Sequence, residues 1–465
     1  MFRVSLLLAT CFLIAAACTK NRLSSSPDVQ PTPGIDTLHF DTLFTQTGAA
    51  TAHFLIYNHH NSRLRISNIG LGGGAASFFH INVNGVEGPS IAGIEINPHD
   101  SAHVFVNAYI PASAGTVPFI ISDSIGISAN GKTQWVQLDA WGQNAHFIRN
   151  GVINSNTIWK ADLPYVITGP LVIAENTTLH IEKGARIYCH ADAAIQVNGG
   201  MEATGGAAEK DRILFTGDRL DAPYDEYPAS WPGIRFNKQS HGNLLQYVDI
   251  RNAYRGITIE APAGNEPSLV LEQTAISNAS DAGLFASGSY VRAANSVFVN
   301  CGKNIYLEYG GRYYFTHCSM ATFSNNYFAH TNPVVYLGDS KTDDNGTLQT
   351  AALTVLFSNS IIWGESISIP DELVADRQGT AAFSCRLEHG IARLSAVPAG
   401  VDTMALLTDA DPLFVSTGKT GRPADLHLQA GSPAIGLGAA AGVPADFDGK
   451  SRPVINPAAG AFEQQ

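Results

Sequence analysis

The chain has 465 residues, of which 45% are hydrophobic, so it is long enough for two or three domains and can bury sizeable cores. Its formal net charge is −12 and its lysines and arginines form no cluster, which argues against a nucleic-acid-binding face because phosphate contacts need such clusters. With 44 glycines, 23 prolines and only 15% charged residues, the composition favours short strands and tight turns over amphipathic helices. We therefore predict an all-β protein.

An export signal is predicted for residues 1–17. Arg3 supplies a positive start, an apolar stretch follows, and small residues precede Cys18. The stretch is shorter than the ~20 apolar residues that span a bilayer comfortably. The pattern resembles a bacterial lipoprotein signal, which implies that Cys18 is lipidated after cleavage; a plain signal peptide or a membrane anchor is the alternative. We expect an exported protein held by a lipid anchor in the cell envelope, at the outer membrane.

Residues 18–34 are rich in serine and proline and are predicted to form a tether. Residues 35–145 contain runs of five to eight alternating residues, broken by Asn, Gly, Pro or Asp. This spacing predicts a β-sandwich that looks like an immunoglobulin-like domain. The sequence "GLGGGA" at 70–75 is followed by a strand pattern instead of a helix, so a dinucleotide site is not expected there.

Internal repeats begin further along and predict a solenoid over residues 146–400. The segments "YVDIRNAYRGITI", "QTAISNASDAGLFA" and "NSVFVNCGKNIYL" align on Asn252, Asn278 and Asn300. Repeats of some twenty residues with two short strands are too short for propeller blades, which need ~40 residues, and too strand-like for helical repeats. The physical solution is a parallel β-helix, in which each coil stacks on the one below. The three asparagines are predicted to form a side-chain ladder at a turn.

The same alignment predicts which side chains face the interior. Ile250, Ile276 and Phe298 fall at one strand position and are expected to stack inside, whereas the positions beside them face outward. Those outward positions hold Asp249, Ala275 and Val297, so this column offers no ladder of carboxylates. Four cysteines lie in or near the repeats: Cys189, Cys301, Cys318 and Cys385. Buried thiols are favoured, and a disulfide between Cys301 and Cys318 is the alternative.

The signal and cysteine, the strand-rich domain with "LRISNIGL" and "INVNG", and the motifs "ILFTGDR" and "WPGI" together resemble exported right-handed parallel β-helix lipoproteins of Bacteroidetes-type bacteria. The ending "DADPLF…DLHLQAGSPAIGLG…DFDGKSRP…GAFE" is similar to a choice-of-anchor Q segment, which implies a C-terminal cap over residues 401–465. The resemblance implies an architecture and no single activity, because the fold is shared by polysaccharide lyases, glycoside hydrolases, epimerases and non-enzymatic surface proteins.

One stretch, "FTGDRLDAPYDEYPASWPGIRF" at residues 215–236, interrupts the repeats with an acidic and aromatic excursion. Its carboxylates could bind Ca²⁺, and its aromatic rings could stack on sugars. The bland alternative is a turn stapled by an Asp–Arg pair, with Trp231 covering the adjacent coil. The candidate ligand-binding residues are Asp218, Arg219, Asp221, Tyr224, Asp225, Glu226, Tyr227 and Trp231.

Two further sets are weaker candidates. Arg255, Asp281 and Lys303 fall near one corner and could provide a base with a carboxylate, but alternating charges at a corner are more often ordinary surface ion pairs. Asp446 and Asp448 precede a glycine and could contact Ca²⁺, but a turn also explains them.

We expect a non-catalytic binding or structural protein of the cell envelope with carbohydrate as its preferred ligand. The alternatives are a polysaccharide lyase or glycoside hydrolase of the β-helix type, and an architectural spacer.

Overall fold

A computed structural model describes residues 22–45, 51–110, 119–325, 327, 329–366, 368–418 and 424–464. The chain divides into two units at Ala145/His146. Almost all regular structure in the described residues is strand, with three single-turn 3-10 helices at Gly74–Ala76, Glu209–Asp211 and Tyr224–Glu226. The all-β prediction is therefore confirmed. Cys18 and the predicted signal lie outside the described residues.

The first unit is a sandwich of two five-stranded sheets, ordered β1-β3-β8-β5-β6 and β2-β10-β9-β4-β7. All pairings are antiparallel except that between β2 and β10. Alternate residues of both sheets point inward and bury one apolar core, as an immunoglobulin-like sandwich requires. The strands are β1 Thr32–Pro33, β2 Thr37–Phe44, β3 Ala52–Tyr57, β4 Leu64–Leu71, β5 Phe79–Val83, β6 Val86–Glu87, β7 Ser90–Ile96, β8 Ser101–Ala108, β9 Phe119–Ala129 and β10 Lys132–Gln143.

The predicted tether differs from expectation where it is described. Part of it, β1, pairs with β3 of the sandwich, and Leu23 bridges to Arg63. The side-chain amides of Asn130 and Gln134 donate hydrogen bonds to the carbonyls of Val29 and Pro31. A Ser/Pro-rich stretch can thus be fixed although it buries little apolar surface beyond Pro31, because its backbone groups find partners. Composition alone does not reveal those partners.

The second unit is a parallel β-helix with one strand of an 11-stranded sheet in each coil. Its strands are β11 His146–Arg149, β12 Val152–Ile153, β13 Thr157–Trp159, β14 Tyr165–Thr168, β15 Leu171–Ile173, β16 Thr178–Glu182, β17 Arg186–Cys189, β18 Ile195–Val197, β19 Gly200–Thr204, β20 Ile213–Gly217, β21 Ile234–Phe236, β22 Asn243–Gln246, β23 Val248–Arg251, β24 Arg255–Ile259, β25 Leu269–Glu272, β26 Ala275–Ser277, β27 Ala282–Ala294, β28 Val297–Val299, β29 Lys303–Thr316, β30 Ser319–Phe323, β31 Val335–Gly338, β32 Ser340–Thr342, β33 Leu348–Thr350, β34 Leu353–Ser358, β35 Ile361–Glu365, β36 Leu373–Asp376, β37 Phe383–Glu388, β38 Ile391–Ala392, β39 Val401–Met404 and β40 Leu407–Thr408. A small antiparallel pair follows, β41 Phe414–Thr417 and β42 Ala424–Leu428.

The coils have three faces. Face A is the 11-stranded sheet, β11-β14-β17-β20-β23-β26-β28-β30-β35-β38-β40. The 17-stranded sheet forms the other two: face B runs β12-β15-β18-β21-β24-β27-β29-β31-β36, and face C runs β13-β16-β19-β22-β25-β27-β29-β34-β37-β39. The long strands β27 and β29 bend and contribute to both faces B and C. Each coil passes from A to B to C and returns to A.

The predicted register on face A is confirmed. Ile250 pairs with Ile276, which pairs with Phe298, and all three are buried in the core. The core fills the space between the three faces with inward-pointing apolar side chains. The four cysteines are free and buried, and burial raises the pKa of both Cys301 and Cys318 to about 12. These thiols are therefore inert packing residues.

The C-terminal segment differs from a cap that closes the end of the helix. Strands β39 and β40 continue the coils past residue 400, where the predicted boundary lies. The described residues of the C-terminal segment, 411–418 and 424–464, then turn back along the outside of face A. Outward residues of the face, such as Val297 and Trp363, share an apolar cluster with Phe414 and Phe462 of this segment. The outward side chains of face A are apolar, and they would be exposed to water without the segment. Covering them favours the position of the segment along this face.

Candidate functional site

The predicted asparagine ladder lies at the corner between faces A and B. Asn252, Asn278 and Asn300 adopt left-handed backbone conformations, with φ of 61°, 56° and 53°. Asparagine tolerates this conformation better than most residues. The Asn278 Nδ2 donates to the Asn252 Oδ1 at 2.8 Å, so one of the two expected links between adjacent coils is present. The Asn278 Oδ1 has no hydrogen-bond partner among the described residues, and the Asn300 Oδ1 accepts from the Phe323 amide instead.

The excursion at residues 218–233 leaves the helix at this same corner and is held by the ladder. The Asn252 side-chain amide donates to the carbonyl of Asp225, and that of Asn278 donates to the carbonyl of Glu226, both at 2.6 Å. The Ser230 amide returns a hydrogen bond to the Asn252 carbonyl. Two polar side chains therefore fix the tip of the excursion, although few apolar groups lie beneath it.

Trp231 does not serve as a sugar-stacking surface. Its side chain is almost fully buried, at 1% exposure, within the helix core, and its Nε1 donates to the Arg251 carbonyl at 2.8 Å. The structural alternative is thus correct for this residue, because the indole covers the adjacent coil. The sequence identified an aromatic residue but could not show the direction in which its ring points.

The carboxylates of the excursion point to separate partners. Asp221 accepts two hydrogen bonds from the Arg219 guanidinium, at 2.7 and 2.8 Å, and this pairing lowers the pKa of Asp221. Asp218 contacts His190 at 2.7 Å, whereas Asp225 and Glu226 are exposed. Within the described residues, no three His, Cys, Asp or Glu side chains converge as a metal site would require. An Asp–Arg staple is therefore present, but it joins Arg219 to Asp221 and not to Asp218 of the "TGDR" turn. A calcium site has no geometric support among the described residues.

Exposed tyrosines form a continuous surface at the tip. The rings of Tyr224 and Tyr227 lie 5.1 Å apart, and Tyr227 lies 5.2 Å from Tyr327, a described residue of a second excursion, between β30 and β31, at the same corner. Tyr224 is 43% exposed and the other two are 38% exposed. The Arg219 guanidinium stacks on Tyr224 at 4.0 Å. We call Tyr224, Tyr227 and Tyr327 the tyrosine surface.

Of the three weaker catalytic candidates, Arg255 and Asp281 pair with each other, and Lys303 stacks on an aromatic ring. Arg255 and Asp281 form an ion pair at 2.5 Å, and Arg255 stacks on Phe285 at 4.0 Å. Lys303 lies one coil further and stacks on Tyr306 at 4.8 Å. Arg255 is thus already neutralised and stacked. The geometry matches the ordinary ion pairing considered from the sequence and gives no base directed at a common point.

Face B carries two outward columns that the sequence interpretation missed. Phe285, Tyr306 and Tyr336 stack edge to face on consecutive coils, with ring centroids 5.1 and 5.3 Å apart. Beside them run Glu260, Ser287, Glu308, Gly338 and Asp376, so that carboxylates alternate with small residues. The repeat alignment ended at Ile259 and Leu307, one residue before Glu260 and Glu308. Extending it by one position would have revealed the column.

Two of these carboxylates contact tyrosines. Tyr336 donates its hydroxyl to Asp376 at 2.6 Å; burial and this hydrogen bond raise the pKa of Tyr336. Partial burial raises the pKa of Glu308, whose side chain also contacts the Tyr306 hydroxyl. The backbones of neighbouring coils lie about 5 Å apart, so residues two coils apart are separated by about 10 Å. Glu308 and Asp376 are two coils apart, with Gly338 between them.

Asp446 and Asp448 do not form a cation site. Asp446 is fully buried, and its oxygens accept hydrogen bonds from the backbone amides of Asp448, Lys450 and Glu463. Asp448 is paired with His427 and Lys450. Their oxygens are occupied by partners that fix a turn, which is the structural alternative recognised from the sequence.

Comparisons with known proteins give little further guidance. No family model matches the chain, and no curated protein matches it. A family 123 glycoside hydrolase from Clostridium perfringens is 13% identical over 24% of this chain and 25% of that one, with a TM-score of 0.19. A protein of unknown function from Porphyromonas gingivalis W83 is 7% identical over 27% of this chain and 60% of that one, with a TM-score of 0.19.

The PapD-like domain 7 of human CEP192 is 10% identical over 26% of this chain and 88% of that one, with a TM-score of 0.17. The chain thus spans a quarter of the length of the glycoside hydrolase. Within the described part of the chain, no helix could span a lipid bilayer. The chemistry of the site must therefore be argued from its own residues.

Proposed function

We propose that this protein binds carbohydrate at the cell envelope through the tyrosine surface. The observation that carries the proposal is the contact between Tyr227 and Tyr327, because it joins two separate excursions into one exposed aromatic face. Exposed rings whose polar hydroxyls reach water suit the alternating apolar and hydroxyl faces of sugars.

The surface is held in place before any ligand arrives, which limits the entropy lost on binding. The amides of Asn252 and Asn278 fix the backbone beneath Tyr224 and Tyr227. The buried Trp231 anchors the far end of the excursion. A sugar chain would meet rings already positioned by the helix.

Membrane attachment through Cys18 and location at the outer membrane form part of the proposal, and the lipoprotein-like signal supports them. Acylation of Cys18 would be measured by metabolic labelling with a fatty-acid probe. Wild-type protein is expected to incorporate the label and Cys18→Ser to lose it. Labelling of the serine variant would contradict the anchor while leaving the sugar-binding proposal intact.

The central test is a glycan array with the full chain and single tyrosine variants. Tyr227→Ala should remove most binding because Tyr227 contacts both of the other rings. The matched control is Tyr109→Ala, since Tyr109 is an exposed tyrosine of the first unit, at 49% exposure. Equal binding by the wild type and Tyr227→Ala would exclude the tyrosine surface, and binding of no glycan would favour the architectural spacer.

A hydrolase is the second candidate, favoured by one observation: Glu308 and Asp376 flank Gly338 on face B. Inverting glycoside hydrolases use two carboxyl groups about 6.5–9.5 Å apart, and the backbones of Glu308 and Asp376, two coils apart, lie about 10 Å from each other. The raised pKa of Glu308 suits a proton donor. Release of reducing ends that is lost in Glu308→Gln would support hydrolysis. Unsaturated products would favour a lyase, and release of neither product would leave a binding protein.

A further inference from the structure

A second concave region lies away from the tyrosine surface, between face C and the C-terminal segment. It has a volume of about 420 Å³, within the range of about 300–1,000 Å³ that ligand pockets occupy. The wall on one side is the loop 441–445, and the opposite side consists of outward residues of β22, β25, β27 and β29. We call this region the lateral groove. It lies at the corner between faces C and A.

The corner residues beside the lateral groove share a left-handed backbone conformation. All but one of them also bind the C-terminal segment. Asn295, His317 and Asn359 each bond through the side chain to a backbone carbonyl of the C-terminal segment. Gln273 occupies the preceding position of this column, with φ of 43°, and its side chain makes no such bond. Its side chain lines the groove, whereas its Oε1 is buried and has no hydrogen-bond partner among the described residues.

That acceptor is costly to leave unsatisfied. A buried oxygen without a partner loses about 1–3 kcal/mol relative to a satisfied one. A left-handed conformation is also unfavourable for glutamine, which lacks the local hydrogen bonds that help asparagine. Glycine would avoid both costs at this corner. Because the Gln273 side chain lines the groove, a rotation of its amide would offer this unsatisfied oxygen to a partner outside the chain.

Charged side chains define the chemistry of that partner. Arg292 is exposed at the groove and forms no ion pair with any described residue. Glu272 accepts a hydrogen bond from Gln246 at 2.8 Å. Arg292 pairs with Val270 and Glu272 with Ala294, so the two charges lie diagonally across β25 and β27 with the small Ala294 beside them. Tyr314 extends the wall next to Arg292.

We infer that the lateral groove binds an anionic sugar, specifically a uronate. Its carboxylate pairs with the Arg292 guanidinium, the charge-assisted contact for which arginine is best suited. One hydroxyl of the sugar donates to Glu272, and another donates to the Gln273 Oε1 after the amide of that side chain turns toward the groove. Repulsion between Glu272 and the carboxylate fixes the orientation, with the acid group toward Arg292 and the hydroxyl edge toward the corner. This site is separate from the tyrosine surface and does not depend on it.

The probes are D-glucuronate and D-glucose, which differ only at the oxidised carbon. Binding to the full chain is measured by saturation-transfer NMR and calorimetry. Glucuronate is expected to bind more tightly than glucose. Arg292→Gln should weaken glucuronate about tenfold, as loss of one charge-assisted contact predicts, and leave glucose unchanged. Gln273→Gly should weaken both sugars, because it removes an acceptor that serves a hydroxyl.

The Gln273→Gly variant also distinguishes a loss of affinity from a loss of folding. Glycine adopts a positive φ readily, so Gln273→Gly is expected to keep or raise the melting temperature while it loses affinity. Arg65→Gln, an exposed arginine of the first unit, is the matched control for charge. Tyr227→Ala should leave glucuronate affinity unchanged. Equal affinity for the two sugars, undiminished binding by Arg292→Gln, or no binding of either sugar would each overturn the inference.

Discussion

The excursion at 218–233 and the described part of the C-terminal segment, 411–418 and 424–464, are both appendages of one solenoid. Both lie against columns of left-handed corner residues. Asn252 and Asn278 hold the excursion through its backbone carbonyls. Asn295 and Asn359 hold the C-terminal segment in the same way. The corner chemistry is thus alike, and the difference lies in what each appendage buries.

The C-terminal segment adds an apolar cluster and a buried arginine. Arg452 bonds to Asn295, Glu463 and backbone carbonyls, and Phe462 packs into the cluster over face A. The excursion buries only Trp231 and presents its tyrosines to solvent. Polar corner contacts therefore position an appendage, whereas apolar burial decides whether it stabilises the fold or remains available to bind.

Trp231→Ala should lower the free energy of unfolding more than any other variant proposed here. This result would show that the buried end of the excursion, and not its exposed tip, contributes to stability. Truncating a buried tryptophan costs about 4 kcal/mol, and the Arg251 carbonyl also loses its partner. Tyr227→Ala should change the free energy of unfolding little, because Tyr227 is partly exposed. Urea denaturation of the two variants measures the difference. Similar unfolding free energies would show that the end and the tip of the excursion are not distinct.

Arg452→Met tests the C-terminal segment. The guanidinium is buried, and its loss leaves the Glu463 carboxylate without its ion-pair partner, which costs about 3 kcal/mol. Arg386→Met is the matched control, since Arg386 forms an exposed pair with Glu388 that should be worth little. Thermal unfolding and limited proteolysis of residues 411–464 are the measurements. A control that is as destabilised as Arg452→Met would contradict the importance of the buried pair.

Two variants of Asn278 distinguish what a corner asparagine contributes through its side-chain hydrogen bonds from what it contributes through its left-handed backbone. Asn278→Gly keeps the left-handed backbone and loses the hydrogen bonds to Glu226 and Asn252, a cost of about 1 kcal/mol. Asn278→Ala also introduces backbone strain and should cost about 2 kcal/mol. Both variants should weaken glycan binding at the tyrosine surface, because the tip is no longer fixed. Full binding by both would mean that the ladder does not position the tyrosines.

Periodicity explains which parts of the fold could be predicted. The spacing of Asn252, Asn278 and Asn300 reports a repeated local requirement, a left-handed corner, and so gave the register of face A correctly. Residue type could not show that Trp231 points inward while Tyr227 points outward. The contact between Tyr227 and Tyr327 was also beyond reach, because it joins two non-repeating excursions far apart in the sequence.

The C-terminal segment illustrates the same limit. Its motif suggested a closing cap, but its position along face A depends on Val297, Trp363 and other outward apolar residues that only the assembled coils bring together. By contrast, Glu308 and Glu260 follow the repeat and were within reach of the alignment. Repeated features of a solenoid can be predicted from sequence, whereas the appendages depend on surfaces that exist only after folding.

The smallest expected effect is a pH dependence confined to the C-terminal segment. His427 contacts Asp448 at 3.0 Å and Asp425 at 2.5 Å, and these hydrogen bonds, led by that to Asp448, raise the pKa of His427 above its usual value. The protonated form is therefore favoured in the folded state. The stabilisation is complete below the unfolded pKa of about 6.5 and is lost as the pH rises through the higher folded value.

Melting temperatures measured from about pH 5.5 to 8.5 should fall across the upper part of this range in the wild type, because the folded pKa of His427 lies above about 6.5. The fall should be smaller in His427→Gln. The lowered pKa of Asp448 keeps that carboxylate ionised throughout. Asp448→Asn removes the leading partner and should move the transition to lower pH. The tyrosine surface contains neither His427 nor Asp448, so glycan binding by the His427→Gln variant should equal that of the wild type. Parallel losses of stability and of glycan binding would show instead that the two appendages are coupled.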